Sequence, residues 1–481
     1  MRLVWAVRRH SYFDSIDLMR VAEQAKQLAD VGEVGLAMAT PAGRTMLSDA
    51  GLWPAEAPEA GPSDLLISVR ASTEAAAKLA LIRVEELLVA GRSAGQVHAE
   101  MLPRTTIAAA RKSGGANVAL IAVPGPHAAI EAHQALSAGM HVFLFSDGVS
   151  LDDEVALKRR ARDRGLLVMG PECGTAIING VGLGFANRVR RGSIGVVGAS
   201  GTGIQELTTL IHRMGGGVSH AIGTGGRDLH AAVGGLATLQ GVAALGADPA
   251  TRVVLLVSKP SSTAVADAVL RAAVETKKPV VACLLGYDGA TPAGVRSAAT
   301  LEEAAIAAVE LTGGSARALE GPRVGGSVGR GAIRGFFTGG TLCDEAGRLV
   351  GQAPSHRFID FGSEEYTRGR PHPIIDPSQR NAAIVAAADD RDMSVLLLDL
   401  VIGDCAHPDP AGALRPALAE ARARRRGAEL AIVAHVVGTG DDPQGLERQE
   451  EELRKAGVIV CASNRIAAST ARAIAEGRDV I

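Results

Sequence analysis

Apolar and polar positions change rhythm along the chain of 481 residues, and each change marks a different kind of building block. Residues 1–90 read as strand, helix, strand, strand, helix. Leu3–Val7, Val34–Met38 and Leu65–Val69 are strand-like runs, and Ile16, Met19, Ala22 and Ala25 recur at helical spacing. Ser72 with Glu74 opens a helix predicted to run to about Leu88: Ser72 accepts a first-turn amide, and Glu74 complements the positive helix end. The pattern predicts a small α+β module of ferredoxin-like outline over 1–95. It carries no catalytic cluster and suits a packing, docking or regulatory role.

From Val118 onward strands and helices alternate strictly. Val118–Val123 ends in Pro124-Gly125-Pro126, a helix follows to Ala138, and His141–Phe145 is the next strand. Ser150 with Asp153 starts a helix that Gly165 ends before Leu166–Met169. A second block begins at Ile194–Val197 and continues through Val253–Val257 and Val280–Leu285, with Thr300 and Glu303 as a capping box for its last helix. Residues 313–331 hold seven glycines and three arginines without apolar periodicity and read as a flexible linker. A third block has strands near Ile333–Phe337, Val395–Leu400, Leu430–Val436 and Val458–Cys461. Apolar strands alternating with helices predict parallel sheets covered on both faces. The predicted organisation is therefore several doubly wound α/β units, at 96–190, 191–312 and 332–481, behind the small module.

Composition narrows the function classes. Lys+Arg 50 against Asp+Glu 52 gives a net charge of −2, and aromatic residues are only 3% of the chain, so neither the charge nor the stacking surface of a nucleic-acid binder is present. The five cysteines are scattered without a C-x-x-C pair, which argues against a disulfide framework or a structural zinc site. No His/Asp/Glu cluster at ligand spacing predicts a metal. No apolar run reaches the roughly 18 residues of a membrane span, and Arg8, Arg9 and His10 break the apolar start, so a cytoplasmic protein is expected.

In doubly wound sheets ligands sit beyond the carboxyl ends of strands, so the loops following apolar runs are the candidates. Gly198-Ala-Ser200-Gly201-Thr202-Gly203 joins a strand to a helix. Its amides, hydroxyls and helix end would hold a phosphate or carboxylate, or else it is a tight glycine turn. It lacks the lysine of a Walker loop and the spacing of a dinucleotide site. Thr338-Gly339-Gly340-Thr341 repeats the device, which suggests two helix ends converging on one anion. Cys343, in the first turn that follows, is either a thiol with a lowered pKa or a small buried residue. Gly225, Gly226 and Arg227 form a third loop, in which Arg227 either clamps an anion or pairs with Asp228. Lys259 stands at a strand end and is one of only eight lysines. Pro171, Glu172 and Cys173 form a further strand-end loop. His372, in Gly369-Arg-Pro-His-Pro373, is a candidate for acid–base work or a turn residue.

At these loops the sequence resembles succinyl-CoA synthetase and its NDP-forming relatives, and more closely the FdrA family of acyl-CoA synthetase-like proteins. The stretches are Val123-Pro-Gly-Pro-His127, Met169-Gly-Pro-Glu-Cys173, Gly195–Thr202 and Ser219–Asp228 for the α-subunit part. For the β-subunit carboxyl-terminal part they are Thr338–Thr341, Asp360-Phe-Gly362 and Gly369–Asp376. The resemblance implies that the helices opening at Ser200–Thr202 and Gly339–Thr341 aim at one phosphate. It also has departures. The loop that carries the synthetases' phosphorylated histidine is Gly286–Arg296 here, without histidine, and Lys259 stands where they have a supporting glutamate. The glycine loop for CoA phosphates is missing, and no ATP-grasp domain is recognisable in the chain.

What the resemblance then implies is a phosphate site without a phosphohistidine cycle. FdrA-type proteins are linked to oxamate carbamoyltransferase in allantoin and purine breakdown, acting with subunits encoded beside them. The expectation is a carbamoyltransferase subunit with Lys259 and His372 as catalytic residues, phosphate or carbamoyl phosphate as substrate, no covalently bound cofactor, CoA undecided, and a homo- or hetero-oligomeric assembly. The alternatives are a subunit of an NDP-forming acyl-CoA ligase, or a non-catalytic scaffold or regulator of such a complex.

Overall fold

The computed structural model describes residues 2–11, 13, 15–54, 59–94, 103–323, 330–351, 353–368, 370–425 and 430–479. The 95/96 boundary, residues 324–329 of the 313–331 segment and Gly369 lie outside the described residues. The chain forms two compact units, Met1–Leu102 and Pro103–Ile481.

The first unit runs β1 (Arg2–Arg8), α1 (Ser15–Lys26), β2 (Val31–Met38), α2 (Pro41–Asp49), β3 (Leu65–Ala71) and α3 (Glu74–Ala94). β3 lies between β1 and β2, antiparallel to both. Successive side chains of a strand face opposite ways. Leu65, Ile67 and Val69 accordingly meet Leu18, Val21, Ala77, Val84 and Leu88 of α1 and α3, while Leu66 turns toward Leu47 of α2. The cap of α3 is Thr73, whose Oγ1 accepts the Ala76 amide at 3.1 Å, not Ser72 as the sequence suggested. α2 was not foreseen, because it buries only Leu47 and so has no apolar stripe; its signal is the Thr40 cap followed by Pro41.

The second unit begins with α4 (Thr106–Ser113), β4 (Val118–Ile121), α5 (Gly125–Ser137), β5 (His141–Leu144), α6 (Leu151–Asp163) and β6 (Val168–Met169), where β4, β5 and β6 form a small parallel sheet. Next come β7 (Thr175–Ile178), β8 (Val181–Gly184), β9 (Arg191–Gly198), α7 (Gly201–Arg213), β10 (Val218–Gly223), α8 (Leu236–Ala247), β11 (Val253–Ser258), α9 (Thr263–Glu275), β12 (Val280–Leu284), β13 (Val295–Ser297) and α10 (Leu301–Leu311). Their sheet has seven strands in the order β13-β12-β11-β9-β10-β7-β8. The hairpin β7–β8, which the sequence reading grouped with the preceding unit, therefore hydrogen-bonds antiparallel to β10 of the next one. It turns at Asn179–Gly180, with φ +55° and +83°.

The last sheet is built from β14 (Ala332–Phe337), α11 (Gly340–Val350), β15 (Arg357–Asp360), α12 (Glu364–Thr367), α13 (Ser378–Ala387), β16 (Met393–Val401), α14 (Pro410–Arg424), β17 (Ala431–Val437), α15 (Leu446–Lys455), β18 (Ile459–Cys461) and α16 (Asn464–Ala475). Its five strands are all parallel, in the order β15-β14-β16-β17-β18. In the segment before it, Leu319 packs on the core and its amide donates to Glu302 Oε1 at 3.1 Å, so the described part of 313–331 is pinned at that point. No described helix is long and apolar enough to cross a membrane.

The two large sheets share one core. Ile204, Leu207 and Leu210 of α7, Leu342 and Ala346 of α11, and Ile466, Ala467 and Ala471 of α16 lie in a single buried cluster. A polar seam runs through it. Glu206 Oε2 meets His435 Nε2 at 2.8 Å, and Asn464 donates its backbone amide to Glu206 and its Nδ2 to Glu345 Oε2 at 2.7 Å, while the Leu301 amide donates to Glu345 Oε1 at 2.7 Å. Burial pushes the Glu345 carboxyl up to about 7. A carboxyl raised on folding binds its proton more tightly in the native state, so the native state loses stability as pH rises from about 4.5 through about 7. The loss is at most about 3 kcal/mol. Glu345→Gln is expected to remove this slope, so the variant's melting temperature gains on the parent's between pH 5 and pH 8. Thermal unfolding at both pH values checks it, and an unchanged gap counts against it.

Candidate active site

Two strand-to-helix handovers meet at the centre of the second unit. β9 leads through Gly198 and Ser200 into α7, and Ser200 Oγ accepts the Gly203 amide at 3.0 Å as the helix cap. β14 leads through Thr338 and Gly339 into α11, whose cap residue is glycine and has no side chain to offer. Asp399, from the carboxyl end of β16, fills that part instead. Its Oδ1 accepts from the Thr338 amide at 2.7 Å and the Thr338 hydroxyl at 3.0 Å, and its Oδ2 accepts from the Gly339 amide at 2.8 Å. Arg380, fully buried, donates to the Asp399 carbonyl at 2.6 Å behind it.

The handovers touch directly: Ser200 Oγ and Thr341 Oγ1 are 2.6 Å apart. Gly339 permits this closeness, since a Cβ there would lie 2.8 Å from the Thr202 side chain. The convergence inferred from sequence is thus a feature of the fold. First-turn amides have no carbonyl of an earlier helical turn to bond. Those of Gly201 and Thr202 in one helix, and of Gly340 and Thr341 in the other, therefore face the junction with the positive ends of both helix dipoles. An oxyanion is the ligand such an end favours. The Thr338 and Gly339 amides are already taken by Asp399.

Charged groups flank the first turn of α11. Lys259, just past β11, holds Asp344 at 2.7 Å. A Cβ on Gly340 would clash with Asp360 Oδ2 and stand 3.5 Å from Lys259 Nζ, which places both at the site. Asp360 Oδ1 accepts the Gly362 amide at 2.8 Å. Burial raises the Asp360 carboxyl to about 6, with the Gly362 amide and Lys259 opposing the rise and Asp399 and Asp344 adding to it. His372 lies beside Gly362, its Nε2 2.8 Å from where a Gly362 Cβ would be, and its ring is tilted against Phe185. Its Nδ1 accepts the Ile374 amide at 3.2 Å, which fixes the proton on Nε2, and burial pushes the imidazolium down to about 4. Acid–base work near neutral pH, the role read from sequence, is therefore corrected to that of a fixed neutral donor.

Other candidates come out differently. Arg227 does not pair with Asp228: its Nε donates to Glu154 Oε2 at 3.0 Å and its Nη2 to the Val149 carbonyl at 2.8 Å. Asp228 pairs instead with buried Lys158 at 2.7 Å. Gly225, at φ +87°, packs against the Pro171 carbonyl, and a Gly226 Cβ would be 3.9 Å from Glu172 Oε2, so these two loops lie side by side. Pro171 is buried, whereas Glu172 is exposed at φ +57°; its carboxyl is raised by the protein around it, with Arg227 opposing and Glu364 adding. Cys173 is buried and burial pushes its thiol up to about 12; Cys343 is also raised by burial, not lowered by its helix end. Sequence reasoning missed Asp399 and Asp344. Asp399 had a signal, a lone carboxylate in the otherwise apolar run Val395–Val401.

Residues 336–474 match the CoA-ligase family, 189–284 the CoA binding domain, and 1–102 the AllF, heavy metal-associated domain. The uncharacterised protein YahF of Escherichia coli (strain K12) is 41% identical over 496 residues, 95% of this chain and 96% of that protein. The α subunit of the ADP-forming succinate–CoA ligase of Aquifex aeolicus (strain VF5) is 32% identical over 197 residues; the match spans 40% of this chain and 63% of that subunit. The dinucleotide-forming acetyl-coenzyme A synthetase 1 of Ca. Korarchaeum cryptofilum, solved with phosphate and ADP, aligns over 74% of this chain and 82% of its own at 16% identity and a TM-score of 0.34. A soft heavy metal does not fit residues 1–102, which contain no cysteine, and no described group of three or more His, Cys, Asp or Glu residues is arranged to hold a metal. Nor does the turn after β4 form an open cradle for CoA phosphates. Pro126 removes a first-turn amide there, and Gly125 packs against the Asp147–Gly148 backbone.

Proposed function

Because the chain belongs to the FdrA-like family of succinyl-CoA synthetase-like proteins, we propose that it is the subunit of a carbamoyl-phosphate-forming transferase that binds phosphate between its two helix ends. The reaction is phosphorolysis of a ureido acid such as oxalurate, giving oxamate and carbamoyl phosphate, with the subunits encoded nearby as partners. The observation that carries this reading is the 2.6 Å contact of Ser200 and Thr341, which brings two helix N-termini together as a shared anion site requires. Phosphate held by the amides of Gly201, Thr202, Gly340 and Thr341 presents an oxygen to the ureido carbonyl, and Lys259 balances its charge. Positioned amides stabilise the oxyanion that forms at the carbonyl. The 286–296 loop supplies no histidine, so the phosphate itself is the attacking group.

A second reading, an acyl-CoA ligase subunit dependent on another chain for nucleotide, draws on the CoA-ligase and CoA binding domain matches. One assay separates the two. The purified protein with its neighbouring subunits is expected to form carbamoyl phosphate from oxalurate and inorganic phosphate, and no acyl-CoA from acid, CoA and nucleotide. The converse result replaces the first reading by the second.

A further inference from the structure

Transfer from a ureido nitrogen to phosphate needs a proton carrier, because the departing amide nitrogen must gain a hydrogen as the phosphate hydroxyl loses one. The groups at the junction differ sharply in their freedom to do this. Asp399 is fully buried, and both its oxygens accept loop amides. Asp344 and Lys259 hold each other at 2.7 Å. His372 has its Nδ1 engaged and Nε2 as a donor only. Asp360 is different. It is half-buried at the carboxyl end of β15, and Oδ1 is fixed by the Gly362 amide. Among the described residues Oδ2 takes no hydrogen bond, yet it lies against Gly340, the first residue of α11, on the side where Lys259 stands.

We propose that Asp360 carries the proton between phosphate and the departing nitrogen, an assignment that rests on the transfer reading above. An oxygen of hydrogen phosphate bonds to the ureido carbon, and the carbon–nitrogen bond breaks with its electron pair passing to nitrogen. The Asp360 carboxylic acid gives its proton to that nitrogen, and the bound phosphate's hydroxyl proton restores the acid. The products are the amide and carbamoyl phosphate, with no further co-reactant. The surroundings of Asp360 suit a proton carrier. Burial and the facing Asp399 and Asp344 keep the acid form populated toward neutral pH, while Lys259 and the Gly362 amide keep the carboxylate accessible. In phosphorolysis Asp360 starts as the acid and is returned as the acid, so by microscopic reversibility the reverse reaction also starts from the acid, and its contribution falls in both directions as pH rises past about 6.

The test uses the full chain with its neighbouring subunits, oxalurate and inorganic phosphate. Asp360→Asn is expected to lower kcat at least about 100-fold, to keep the rise in melting temperature that phosphate causes, and to abolish the pH limb in both directions. Asp360→Glu is expected to restore part of kcat with the limb displaced, which also covers a poorly folding asparagine variant. An asparagine variant within threefold of the parent's kcat, or one that keeps the limb, overturns the assignment and leaves the transfer reading in place. Loss of the phosphate-induced melting shift together with activity overturns it as well, in favour of a structural part for Asp360. If the parent forms no carbamoyl phosphate, the transfer reading and the assignment fall together.

Discussion

Replacing Ser200 and Thr341 together by alanine is expected to lower carbamoyl-phosphate formation by about 100-fold or more while leaving the protein folded. The two hydroxyls now bond each other across the junction at 2.6 Å, and each can turn to an anion held between the helix ends. A hydrogen bond to a charged group contributes about 1.5–3 kcal/mol, so losing two costs between about 100-fold and 10,000-fold in binding of the phosphate or of the transition state built on it. The stability cost is smaller. Ser200 loses the cap on Gly203, about 1 kcal/mol, and Thr341 gives up only its hydroxyl and a methyl group in contact with the facing turn. Steady-state kinetics and thermal melts of the single and double variants separate the two effects. Unchanged turnover in the double variant would move the chemistry to a partner subunit and make this chain a scaffold.

Lys158→Met is the change expected to cost most in stability. The Lys158 ammonium is fully buried between Glu154 and Asp228, each 2.7 Å away, and also donates to the Thr224 carbonyl at 3.0 Å. Removing it leaves two buried carboxylates with reduced compensation; Arg227 still reaches Glu154, and Thr238 still donates to Asp228. Breaking one partner out of a buried pair destabilises by about 3–5 kcal/mol. The cluster joins α6 to the loop after β10, so denaturant unfolding should show a lower midpoint, with the three-stranded sheet and the glycine loop at 223–226 loosening together. A midpoint unchanged within error would mean that the network is replaceable by apolar packing.

How far the sequence reached depended on whether the governing signal was local. The strands β9, β11, β14 and β16 were legible because both their faces are buried, which leaves largely apolar runs, interrupted by Arg334 in β14 and Asp399 in β16. The two glycine-rich loops that open α7 and α11 were legible for a similar reason, since glycine and hydroxyl residues directly follow those runs. The hairpin β7–β8 was passed over although Asn179–Gly180 is a strong two-residue turn signal. Its strands have only four residues each, and β8 alternates with glycine. The acidic groups were less accessible still. Asp399 and Asp360 come from strands far along the chain, and only the strand order β15-β14-β16 sets them on either side of Thr338–Gly340. Arg227 and Asp228, adjacent in sequence, face different partners because the loop turns between them.

The strand order of the seven-stranded sheet limits how the chain can be divided. Residues 175–184 belong by sequence to the stretch before β9, but by hydrogen bonding they close the edge beyond β10. A piece of the protein starting at residue 191 would keep both glycine-rich loops, Ser200–Gly203 and Thr338–Thr341, and yet leave β10 with an open ladder of backbone groups, the kind of edge that invites strand pairing between molecules. The evolutionary corollary is that the CoA-binding-domain portion could not have been exchanged at that point as a cassette. Recombination would have had to carry the hairpin along, or supply another strand to take its place.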